Sequence, residues 1–166
     1  MTFHDGGPLG TVDAHVAAPA GTLVITVYRC AMAGFSVGQT DCWEIGWRAL
    51  GQAVPHGEEG PLFGEFYGFV RALLAVTQNP LSFRPAGCRS ICNDEALALS
   101  MIGAAQVADT VGLLAAAAEL LGVDELGDAL RATQSLATAL AKRGLFIRAP
   151  AQNGPRGNLR QQRRLH

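Results

Sequence analysis

The sequence predicts an all-α protein: a single-domain antiparallel helical bundle of about five to six helices, with a short irregular N-terminal arm and a C-terminal tail. Three observations carry this. Alanine accounts for 27 of the 166 residues, and it is the strongest helix former, with a side chain small enough to let helix backbones approach closely. Hydrophobic residues make up 49 % of the chain and charged residues 16 %, against about 25 % charged in an average soluble domain. Helices with so little charge are buried on more than one face or covered by a partner. Apolar side chains also recur at steps of three and four through most of the chain, the period of a helix. At this length the chain buries a core without needing a disulfide or a metal to hold it together.

Residues 1–21 are rich in Gly, Pro and Ala and have no apolar period, so they read as an arm. The bundle is expected over 22–148. In the 22–36 segment, Leu23, Val24, Ile25, Val27 and Tyr28 have strand-like propensity. Thr22, Thr26, Arg29, Ala33 and Ser36 nonetheless fall at helical steps and leave Val24, Val27, Tyr28, Ala31 and Phe35 on the other side. The spacing predicts a helix with Arg29 on its polar face.

The second helix opens at Thr40 or Asp41, where Asp41 and Glu44 resemble a capping box, and Pro55 ends it. Its apolar stripe is Trp43, Trp47, Leu50 and Val54. The third begins at Pro61, a residue suited to a first helical position, and runs through Phe66, Phe69, Val70 and Leu73 to Asn79-Pro80. Residues 79–92 have two prolines, Gly87 and no period, a connection longer than is usual within a compact domain. Asn93 is the expected N-cap of the fourth helix, with Asp94 and Glu95 favoured by its dipole, and Leu97, Met101, Ala104 and Ala108 inward. Asp109 either caps a separate helix to Leu121 or marks a bend, and Gly122 terminates it. The last helix spans Asp124–Arg143, with Leu126, Leu130, Thr133, Ala137 and Leu140 on one side and Gly144 as terminator.

Charge is unevenly placed. Residues 1–147 carry 8 basic and 14 acidic side chains, while 148–166 carry five arginines and no acid. The tail, 149–166, therefore reads as a basic appendage. Arg156, Arg160, Arg163 and Arg164 are able to neutralise phosphates, but no aromatic residue interleaves with them for base stacking. Nucleic-acid association is the weaker alternative. The opening lacks a basic n-region followed by an apolar stretch, and no membrane-length uninterrupted apolar run occurs, so a cytoplasmic protein with no membrane partner and reduced cysteines is expected.

Gly34-Phe35-Ser36-Val37-Gly38 matches the nucleophile-elbow pattern, which requires a strand-to-helix turn on a parallel sheet. Without that sheet it is the small-residue exit of a helix. Glu-x-x-His pairs for a di-iron site, the phosphate-binding glycine loops and His-Glu-x-x-His are missing, so no catalytic motif sits in context and an enzyme is disfavoured. The carboxylate pairs Glu58-Glu59, Asp94-Glu95 and Asp124-Glu125 all lie at helix starts, where dipole stabilisation accounts for them. His4, His15, His56 and His166 fall in arms and loops and read as surface residues.

The feature that stands out is Cys88-Arg89-Ser90-Ile91-Cys92. If this stretch is helical, its two thiols share one face just ahead of a helix N-terminus, with Arg89 favouring thiolate. They would suit a reversible disulfide, an oxidant sensor or a soft metal, and Cys30 and Cys42 would complete a four-thiolate site. Cysteine is equally at home as a small buried hydrophobe.

The first functional reading is a non-enzymatic bundle acting through protein contacts, self-associating as a homo-oligomer or binding a protein partner, because apolar helix surface remains to be covered. The alternative is a cytosolic thiol, redox or metal-binding protein using Cys88 and Cys92. Since few apolar residues anchor the tail, deleting 149–166 should leave thermal unfolding cooperative and its midpoint nearly unchanged. A loss of several kcal/mol in a denaturant melt would show that the tail packs.

Overall fold

The computed structural model describes residues 19–123 and 125–148. Among these residues there are six helices and no strand: α1 (Pro19–Val37), α2 (Asp41–Ala53), α3 (Glu59–Val76), α4 (Asn93–Gln106), α5 (Thr110–Leu121) and α6 (Gly127–Ala141). The all-α expectation holds, including for the β-branched segment. The expected arm and tail otherwise fall outside the described residues.

Burial explains why α1 is a helix. Every residue from Val27 to Ala33 is buried, and α1 packs against α2, α3 and α4. A helix surrounded in this way draws its stability from packing on several sides, which outweighs the modest propensity cost of Val, Ile and Thr. It starts at Pro19, three residues inside the segment assigned to the arm, with proline in a first-turn position that needs no N–H. By length and composition α1 would cross a membrane, but here most of that window is buried by neighbouring helices. The helices meet in one core, where Val24, Tyr28 and Met32 of α1 join Phe66, Phe69 and Leu73 of α3, Met101 of α4 and Leu136 and Leu140 of α6. α3 packs on α6, and α4 packs on both α5 and α6.

Several expectations are corrected. Arg29 does not lie on a polar face: it is 2 % exposed, and Ala33 is buried beside it. Trp47, placed in the buried stripe of α2, is 47 % exposed, while Leu50 of that stripe is fully buried. Among the described residues α2 packs chiefly on α1 and α3, so the strip of its surface that meets protein is narrow and Trp47 falls at its margin. The N-cap of α4 is Cys92 rather than Asn93, and the Glu95 side chain reaches back to accept the Cys92 N–H at 2.9 Å. α4 and α5 are separate helices. Asp109 caps α5 by accepting the Gly112 N–H at 2.9 Å, and Ala108 takes φ 56° to make the turn. Gly122 ends α5 in the left-handed conformation. The last helix begins at Gly127 and closes at Ala141, inside the expected Asp124–Arg143, and the chain turns through 142–144 to Gly144 at φ 71°.

Gly34 belongs to no nucleophile elbow. It lies within α1, where a Cβ would stand 2.1 Å from the indole nitrogen of Trp43. The glycine is there because α2 lays an aromatic ring directly on the α1 backbone. We predict that Gly34→Ala costs about 1–3 kcal/mol through overpacking and shifts tryptophan emission as Trp43 is displaced. Unchanged melting and emission would refute this seat.

Candidate functional site

The connection between α3 and α4 is irregular, as expected for residues 79–92, yet it is tightly held. Its anchor is Arg29, projecting from the middle of α1. The guanidinium forms a two-point ion pair with Glu95 of α4, Nε to Oε1 at 2.7 Å and Nη2 to Oε2 at 2.9 Å. Nη1 also donates to the carbonyls of Cys88 at 2.5 Å and Pro85 at 3.4 Å, and Nη2 to that of Ser90 at 2.7 Å. Glu95 in turn accepts the Arg84 N–H at 2.8 Å and the Cys92 N–H at 2.9 Å. Both side chains are essentially inaccessible. Asp94 contributes by accepting the Ser82 N–H at 2.8 Å. The acid pair that opens α4 thus ties down the loop, and the dipole reading misses this for Glu95.

The electrostatics follow from this arrangement. Burial pushes the Glu95 carboxyl upward, but the hydrogen bonds from Arg29 and the two backbone N–H groups win and hold it below the usual carboxylate range. Tyr28, buried beside the same carboxylate, is shifted upward by burial first and by Glu95 second.

The cysteines divide between two places. Cys88 and Cys92 do not share a helical face, because residues 87–92 form no helix. The Cys88 sulfur lies 3.3 Å from the Ser90 hydroxyl, and the Cys92 thiol donates to the Ser82 carbonyl at 3.3 Å. Hydrogen bonding from Ser90, then the positive charges of Arg29 and Arg84, lowers the Cys88 thiol below its ordinary value. Cys92 moves upward through burial and the nearby Glu95. Arg89, expected to favour thiolate, is exposed; Arg29, from a different helix, has that role.

Cys30 and Cys42 meet at the α1–α2 contact. Gly46, one turn after Cys42, stands against Cys30, with 3.4 Å between the Cys30 Cβ and the Cβ that Gly46 lacks. Burial and the neighbouring Cys42 push the Cys30 thiol up to about 11. All four cysteines are free, and among the described residues no three or more His, Cys, Asp and Glu side chains converge as metal ligands.

Among the described residues, exposed apolar side chains gather on two surfaces. The first spans the α4–α5 turn: Val107, Val111 and Leu114 are exposed by 67, 80 and 42 %. The side chain of Gln106 donates to the Leu145 carbonyl and accepts the Ile147 N–H, which holds Phe146, 55 % exposed, alongside this turn. The second is a cleft of about 600 Å³ lined by Trp43, Glu44, Trp47 and Arg48 of α2 and Phe63 of α3. Composition hinted at uncovered apolar surface but could not place it. The Trp-x-x-x-Trp spacing in α2 was the available signal for the cleft.

Comparison with known protein families, characterised proteins and solved structures finds no match to this chain.

Two tests address the anchor. Glu95→Gln and Arg29→Lys should each destabilise by about 3–5 kcal/mol, since either change strands a buried partner and lysine lacks the forked donor set. A loss below about 1 kcal/mol in denaturant melts would rank the pair with surface ion pairs. Because the folded carboxyl lies below its unfolded value of about 4.3, its contribution is complete above that pH and is lost as pH falls through the folded value. The acid limb of a pH–stability profile should therefore flatten in Glu95→Gln.

Proposed function

We propose that this protein is a non-enzymatic helical bundle that acts by self-association, pairing with a second copy through the α4–α5 face. The observation that carries the reading is the apolar patch of Val107, Val111, Leu114 and Phe146, all well exposed. Ala115 and Ala118 continue it along α5. Small side chains let two such helices approach closely, and a two-fold axis would set the same patch against itself. Glu119 is the sole charged residue of α5. Val111→Lys should convert a dimer into a monomer in sedimentation velocity at micromolar concentration without altering helix content. A wild-type monomer under those conditions would overturn the reading.

A second reading is supported by the Cys88–Ser90 contact: a thiol-based response centred on Cys88, partly accessible and held in a fixed loop. Alkylation followed by peptide mass should then show Cys88 reacting with a midpoint below the ordinary thiol value and Cys92 above it. Equal midpoints at the ordinary thiol value would remove its basis.

A further inference from the structure

The fold brings two of the four cysteines, Cys30 and Cys42, against each other across the α1–α2 contact. Gly46 and Leu50 are the buried residues of α2, and Cys42 continues their stripe one turn towards the N-terminus, four residues before Gly46. The Cys30 sulfur, on a fully buried residue, lies 3.8 Å from the position that a Gly46 Cβ would take. The Gly46 N–H also donates to that sulfur. In a helix an N–H points towards the carbonyl four residues earlier, which here is that of Cys42. The sulfur therefore stands on the Cys42 side of Gly46, and the Cys42 side chain interacts with it directly.

The two thiols are unequally placed. Cys42 is in the first turn of α2 and partly exposed, so a dissolved molecule reaches it, whereas Cys30 is closed off. Burial and then the charge of Cys42 push the Cys30 thiol up to about 11, which leaves it protonated at neutral pH and a poor attacker on anything in solution. Once Cys42 is in a disulfide its charge is gone, and attack by Cys30 is intramolecular. An accessible thiol beside a buried one suits an attacking and a resolving cysteine.

We propose that Cys30 and Cys42 form a redox pair, oxidised by a small-molecule disulfide such as oxidised glutathione to an intramolecular bond that staples α1 to α2. The Cys42 thiolate attacks one glutathione sulfur. A Cys42–glutathione bond forms, the glutathione S–S bond breaks, and one glutathione thiolate leaves and takes up a proton. The Cys30 thiol then gives up its proton to water and its sulfur attacks Cys42 Sγ, releasing the second glutathione. Two protein thiols are oxidised to one disulfide, and one glutathione disulfide is reduced to two thiols.

Trypsin cuts after Arg29 and Arg48, so a single peptide, 30–48, carries both cysteines and neither Cys88 nor Cys92. The full chain, equilibrated with reduced and oxidised glutathione, quenched in acid, alkylated and digested, should give this peptide unalkylated and lacking two hydrogens. At a fixed glutathione ratio, its linked-to-reduced ratio should be at least about tenfold higher in the folded chain than in urea, because the fold holds the sulfurs together. By linkage, the oxidised chain should melt at a higher temperature than the reduced one. Cys30→Ala should stop at the mixed disulfide, with one glutathione on Cys42, and Cys42→Ala should leave Cys30 reduced. Circular dichroism checks that both variants keep their helices, and the wild-type measurement stands without them. Cys88→Ser should leave the result for peptide 30–48 unchanged, which separates this pair from the Cys88 response. The proposal is overturned if peptide 30–48 stays reduced, if its linked fraction in the folded chain is no higher than in urea, or if glutathione remains on Cys42 when Cys30 is present.

Discussion

One buried cation organises this molecule. Arg29 sits in the middle of the most buried helix, and an arginine there costs several kcal/mol unless its charge and its donors are all satisfied. Glu95 supplies the charge and two acceptors, and the carbonyls of Pro85, Cys88 and Ser90 supply the rest. The order of the α3–α4 connection follows from that need. A stretch rich in proline and lacking regular secondary structure is fixed because its carbonyls are turned inward to a donor contributed by another helix. Cys88 and Cys92 sit on the rim of this arrangement: hydrogen bonding from Ser90, then the charge of Arg29, lowers the Cys88 thiol, while burial, then Glu95, raises that of Cys92.

Much of the fold was legible because helical period and terminators are local signals. Proline and glycine mark where helices stop, Asp109 marks where α5 begins, and the inward stripe of α3 is as regular in sequence as in space. The anchor was not legible for a physical reason. A residue's place on a helix wheel says which side it faces, not whether that side is wet, and Arg29 was assigned to solvent because arginine usually is. Its partner lies 66 positions away, beyond any window of periodicity. Glu95 compounded the difficulty, since an acid in a first turn already has a sufficient local explanation. The clue was the isolation of Arg29 as the one charged residue in the 19-residue α1.

For the cysteine pair, the spacing in sequence suggests a shared helical face that the fold does not have. The Cys88–Cys92 spacing carries meaning for a helix, whereas the chain there is shaped by carbonyls that must reach Arg29. Composition leaves open whether apolar surface is buried between helices or uncovered, and it gives no place for it. The spacing of Trp47 from Trp43 and Leu50 places it in the core, yet among the described residues α2 packs chiefly on two other helices and has too little covered surface to enclose a second indole.

The seat of Trp43 on Gly34 also bears on how α1 and α2 are allowed to slide. Antiparallel helices packed through apolar side chains often tolerate a shift of one turn, because one hydrophobic surface resembles the next. Here the ring occupies a notch where no Cβ fits, and the positions one turn from Gly34 within the helix, Cys30, Ala31 and Val37, carry side chains, with Gly38 lying just past the helix end. Translation of α2 by a turn would drive the indole into one of them. The glycine therefore acts as a detent that selects a single alignment of the hairpin, and with it the alignment at which Cys30 meets Gly46 and Trp47 reaches Phe63.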